Sequence, residues 1–187
     1  MLDSMYVASV TDEHRLTLEA MIDLRNALDD DEAADLRPLL TGAGFSRARD
    51  ASAGSMTRVA ERFEALAAFL TALPDLETVE AAARITEELT ELPITPSIVD
   101  HGGAGPHIHW TPATARFDDQ VLADIFMALA DEVCDNGTIR FGVCGADDCD
   151  HLFYDATRNR SKRFCADPRC ASRTHTADHR KRRSSGN

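Results

Sequence analysis

Apolar residues recur at helical spacing along most of this chain and at strand spacing in a few short stretches. The first ten residues have no period and are expected to be frayed. Thr11-Asp12 then caps a helix in which Leu16, Ala20, Leu24 and Leu28 return every four residues. The acidic run Asp29–Glu32 suits a helix start better than a helix end, because a helix N-terminus carries partial positive charge. It predicts a second, short helix to about Leu36, followed by a loop through Pro38 and the Gly42/Gly44 pair. Met56, Val59, Phe63, Leu66 and Leu70 trace one face of a third helix over Arg47–Leu73, delayed or kinked at Gly54. Phe63 and Phe69 are assigned to the core rather than to a ligand pocket. Pro74-Asp75 ends that helix, and a fourth runs through Val79, Ala83, Ile85 and Leu89 to Leu92.

Pro93 changes the pattern. Ile94–Val99 and His107–Trp110 are strand-like, and the glycine-rich stretch between them predicts a β-hairpin. The alternation puts His107 and His109 on one side of the strand. Together with His101 they are weighed as a second metal site, but three histidines without a carboxylate are read as an exposed polar face. No Gly-Lys-Ser/Thr follows the glycines, so they are not a phosphate loop. Thr111-Pro112 or Asp118 caps the next helix, where Phe117, Val121, Leu122, Ile125, Phe126, Leu129 and Val133 form a broad stripe that must be buried. Cys134 extends that stripe and reads as a small core residue. Asn136-Gly137 ends the helix with residues suited to positive φ. Thr138–Val143 and Leu152–Tyr154 then alternate as a second hairpin, and Pro168 suits the first position of a last helix, Pro168–Arg183.

Cysteines supply the candidate chemistry. Cys144 and Cys149 bracket four residues, as do Cys165 and Cys170, with fifteen residues between the pairs. Two such knuckles make a tetrahedral thiolate cage, the closed arrangement of structural zinc sites. One structural Zn2+ is the expected cofactor. Two disulfides are the competing reading. Met1–His14 lacks a basic start followed by an apolar core, so a reducing cytosol is expected instead. A mixed site of Cys165, Cys170, His175 and His179 also competes, but the spacer between its pairs is short for a two-Cys, two-His finger. His175 and His179 are read as solvated helix residues, and His151 as a strand residue beside the cage.

Charge divides the chain in the same place. The net charge is −12, but residues 1–137 carry −17 and residues 138–187 carry +5. Four thiolates and one zinc ion leave the second part at about +3, a basic module on an acidic body. The expected fold is α+β and mostly α: a helical body over 1–137 with one β-hairpin, then a four-cysteine zinc module over 138–187. The 43% hydrophobic content supports a core, and no apolar run approaches the ~20 residues that span a bilayer.

The stretch Asp155–Cys165, set between two Cys-x4-Cys pairs, resembles the CGNR-type zinc finger of bacterial transcription regulators, which usually carry an ABATE domain ahead of the finger. The family's Cys-Gly-Asn-Arg falls here at Cys170-Ala171-Ser172-Arg173, where the cysteine and arginine match and the middle pair does not. The resemblance implies DNA binding by the finger and a sensory part for the body.

The sequence is compatible with three kinds of function. In the first, the module binds double-stranded DNA in the cytoplasm, at the nucleoid. Arg158, Arg160, Lys162, Arg163, Arg180, Lys181, Arg182 and Arg183 meet phosphates, while Asn159, Arg169 and Arg173 reach base edges. A small-molecule effector and a homodimer fit this reading. In the second, the module binds RNA or docks to a protein, with Phe153 and Tyr154 stacking on bases. The third, an enzyme, has no catalytic grouping, nucleotide loop or cofactor motif behind it and is set aside.

Overall fold

The computed structural model describes the backbone of residues 3–100 and 105–185 and the side chains of 13–100, 105–177 and 180–182. Six helices and two small antiparallel hairpins follow one another along these residues. The longest helix, α1 (Asp3–Asp30), begins well before the expected Thr11. Ala20, Leu24 and Leu28 are buried along it as the four-residue recurrence predicts, whereas Leu16 is exposed.

The acidic run does not start a helix. Asp31 Oδ1 accepts from the Ala33 amide and Asp35 Oδ1 from the Arg37 amide, each at about two residues' reach. Such side-chain turns compete with helical hydrogen bonds. The short helix α2 (Arg37–Gly42) comes after them, with Pro38 in its first turn, where no amide partner is needed. The expected loop is therefore the helix, and the expected helix is the loop. Residues 46–48 form a single 3₁₀ turn, and α3 (Ala53–Ala72) starts only at its cap, where Ser52 Oγ accepts from the Ser55 amide. Phe63 and Phe69 are core residues, as expected.

In α4 (Thr78–Thr90) Ile85 is buried and Leu89 packs on the core as expected, but Ala81 takes the inward place of the exposed Val79 and Ala83. The central helix is α5 (Phe117–Asn136), and every residue of its expected apolar stripe is buried. α1, α3 and α4 all pack on it, and Phe69 stacks on Phe126 at 6.5 Å. Neither Thr111-Pro112 nor Asp118 caps it. Arg116 holds the cap position, and Asp118 lies fully buried in the first turn, bonded to Arg116 at 2.6 Å and to Arg58 at 3.1 Å. Those partners hold its carboxyl below the usual range although burial opposes ionisation. Cys134 is exposed and not a core residue, because it falls just past the stripe. Gly137 ends the helix at φ +66°, and a Cβ there would stand 2.7 Å from Thr78 Oγ1. Only glycine satisfies both demands.

The first hairpin pairs β1 (Ser97–Val99) with β2 (His107–His109), and the second pairs β3 (Phe141–Val143) with β4 (Leu152–Tyr154). β3 is shorter than expected because residues 138–140 form a turn. Phe141, Leu152 and Tyr154 join the main core, so one apolar interior continues from the helices into the second hairpin. Cys144, Cys149, Cys165 and Cys170 form a separate small cluster with Ala146 and Phe164, and α6 (Pro168–Ser185) leaves from it. Among the described residues, no helix is long and apolar enough to cross a membrane.

Candidate metal centre and nucleic-acid interface

Local hydrogen bonds shape each knuckle before any ion is considered. The Cys144 amide donates to His151 O at 2.8 Å, which fastens the first knuckle to the strand after it. The Gly145 amide donates to Arg163 O at 2.8 Å and ties the two knuckles together. A Cβ on Gly145 would lie 3.0 Å from that same oxygen, so the approach is tight. The second knuckle turns into α6 through Asp167, whose Oδ1 caps the Arg169 amide at 2.9 Å.

These turns bring the sulfurs of Cys144, Cys149, Cys165 and Cys170 within 4.8 Å of one another. Cys149 lies 3.9 Å from Cys165, and Cys165 lies 3.7 Å from Cys170. Zinc binds sulfur at about 2.3 Å, so the corners of a tetrahedral site stand about 3.8 Å apart. The spacings suit that tetrahedron and are nearly twice a disulfide bond, which is about 2.05 Å. Electrostatics agree with the geometry. The Cys165 and Ala146 amides hold the Cys144 thiol below its ordinary pKa against the effect of burial. Burial and the neighbouring sulfurs push Cys170 up to about 12. Four thiolates this close repel one another, and a dication at their centre removes that penalty. The residues fit one structural zinc ion held by all four cysteines.

Among the described residues the mixed site is not formed, since Cys165 and Cys170 group with Cys144 and Cys149. His175 is exposed, with its ring edge-on to Phe164 at 5.7 Å, and the His179 side chain lies outside the described residues. His151 precedes β4, and its Nε2 is 2.9 Å from Asp30 on α1.

The expected nucleic-acid residues separate into two groups. Asp155, itself buried, accepts from the Thr157 amide, the Thr157 hydroxyl and the Lys162 amide. Arg140 donates to the carbonyls of Asp155 and Thr157 from the other side. This frame presents Arg158, Asn159 and Arg160 at an exposed tip, with Arg160 at φ +49°. Arg163 is exposed beside the Phe164 ring, and Arg180, Lys181 and Arg182 are exposed along α6. The Arg183 side chain lies outside the described residues.

The second group makes contacts within the module, Lys162 half-buried and Arg169 and Arg173 still exposed. Lys162 Nζ donates to Tyr154 O at 3.2 Å and sits over the Phe153 ring. Arg169 is paired with Asp167. Arg173 donates to Asp148 at 2.9 Å and reaches Cys170 Sγ at 3.5 Å. Arg173, expected at the base edges, thus braces the cage, a contact set by folding that its position in the sequence does not reveal. Tyr154 is buried and donates to Glu132 at 2.7 Å, which leaves no face for a base.

His107 and His109 share the half-buried face of the first hairpin, and Ile98 and Ile108 occupy the exposed one. The expected exposed polar face is therefore inverted. His101 lies outside the described residues.

A mostly helical body carrying a compact four-cysteine zinc module is the class of protein that these features define. Comparison with protein families agrees for the second part: residues 140–183 match the CGNR zinc finger. No curated protein matches the chain significantly.

Proposed function

We propose that the chain is a DNA-binding transcription regulator acting in the cytoplasm at the nucleoid, a binding protein rather than an enzyme. One observation carries this reading: the Arg158-Asn159-Arg160 tip is exposed on a loop that Asp155 and Arg140 tie to the zinc module. A fixed cationic tip suits a groove, because guanidinium pairs with guanine and a side-chain amide with adenine. Arg163, Arg180, Lys181 and Arg182 supply phosphate contacts, which add affinity without sequence information. The acidic body repels the backbone and confines contact to the module. Arg169 and Arg173, turned toward Asp167 and Asp148, take a supporting part. The body, of the ABATE type by resemblance, receives a small-molecule or stress signal, and a homodimer presents two modules.

Selection of the zinc-loaded protein on a random duplex library tests this, with Arg158→Ala, Asn159→Ala and Arg173→Ala in parallel. The expected result is one enriched motif, changed by the first two variants and merely weakened by the third. No enrichment, with binding that vanishes as salt rises, would leave only phosphate attraction and overturn the reading. Tight single-strand binding in that case would turn attention to RNA.

A further inference from the structure

We infer that His107 and His109 form a second metal site, for a late first-row divalent ion. It is separate from the cysteine cage in residues, in chemistry and in place. The two histidines alternate with Ile108 on β2, so strand geometry sends both rings to the same side. Their Nε2 atoms are 3.2 Å apart. Two nitrogens bound to one ion at about 2.0–2.1 Å stand about 2.9 Å apart at a right angle and about 3.4 Å apart at the tetrahedral angle. The observed separation falls between those values.

The His107 ring is oriented from behind. Its Nδ1 is 2.9 Å from the carbonyl oxygen of Gly105, an atom that only accepts. The proton of neutral His107 therefore sits on Nδ1, and its Nε2 offers a lone pair toward His109. A backbone carbonyl behind one ring nitrogen and a metal before the other is the usual support of a ligating histidine. Gly105 reaches that position at φ +84°, in the turn before β2. The opposite strand places Val99 and Ser97 across from the pair, and the histidine face is half-buried.

Two imidazoles suit nickel, copper and zinc, with affinity rising toward copper. The site stands independently of the DNA reading, since its test involves no nucleic acid.

The test is calorimetric titration of the zinc-loaded full chain with Ni2+. One equivalent beyond the cage is expected in the parent. His107→Ala and His109→Ala should each weaken it at least about tenfold, the lower end of the loss seen for a mere outer-shell partner. His175→Ala should leave it unchanged. A second readout needs no variant: paramagnetic Ni2+ should broaden the ring-proton signals of His107 and His109 before those of the other histidines. No uptake by the parent, uptake undiminished in both variants, or broadening confined to other histidines would each overturn the proposal.

Discussion

Asn26 on α1 holds Leu152 on β4 by both backbone groups: its Nδ2 donates to Leu152 O at 2.9 Å, and its Oδ1 accepts from Leu152 N at 2.9 Å. The side chain completes the outer edge of the second hairpin as a neighbouring strand would. This joins the body to the zinc module across 126 positions of sequence, in a buried setting.

Asn26→Ala removes both partners and leaves a buried N–H and C=O unpaired. Each unsatisfied group costs about 1–3 kcal/mol. The variant should lose on the order of 2–4 kcal/mol of stability, read as a lower urea midpoint. The Leu152 amide should change from slow to fast hydrogen exchange.

Zinc removal should unfold only part of the module. Phe141, Leu152 and Tyr154 belong to the main core, while the knuckles have only the small cysteine cluster. Structural zinc contributes on the order of 10–16 kcal/mol in isolated finger peptides. With chelator, residues 165–183 should lose exchange protection while the amides of β3 and β4 keep theirs. Simultaneous loss across both hairpin and α6 would show that the hairpin depends on the ion as well.

Phe153 covers Gly142 across the hairpin, and a Cβ on Gly142 would fall 2.5 Å from its ring. Gly142→Ala should destabilise by about 1–3 kcal/mol, the range for overpacking. In the Phe153→Ala background the same change should cost much less. A thermal-melt double-mutant cycle measures the difference.

Asp124 sits half-buried on α5. Burial first, and the Glu13 carboxylate second, push it up to about 7. Unfolded, it ionises near pH ~4. Between those values the folded chain binds more protons, so stability falls as pH rises from about 4 through about 7. Asp124→Asn removes that loss. The variant should be the more stable one at pH 8 by on the order of 2 kcal/mol, with a smaller difference at pH 5, as read from urea midpoints.

Arg173→Ala should loosen the cage, because its guanidinium spans Asp148 and the Cys170 sulfur. Competition with a colorimetric zinc chelator should show about 10–100-fold weaker retention, as for other outer-shell partners of a metal site. Arg158→Ala should leave retention unchanged, since its side chain is exposed at the loop tip.

What the sequence determined by itself was local. The stripe on α5, the two cysteine pairs, the glycine closing α5 and the proline opening α6 each depend on a residue's own element, and all were legible from spacing. Local reading failed where two local signals competed. Asp31 and Asp35 made side-chain turns instead of a helix start, so α2 moved past Pro38. Only the tertiary structure decided which face of the first hairpin turned inward, and it buried the histidine side more than the isoleucine side. It also turned Arg173 to the cage and used Asn26 to hold a strand edge. Spacing records which residues share a face, but the partner of that face comes from distant segments and is settled by packing.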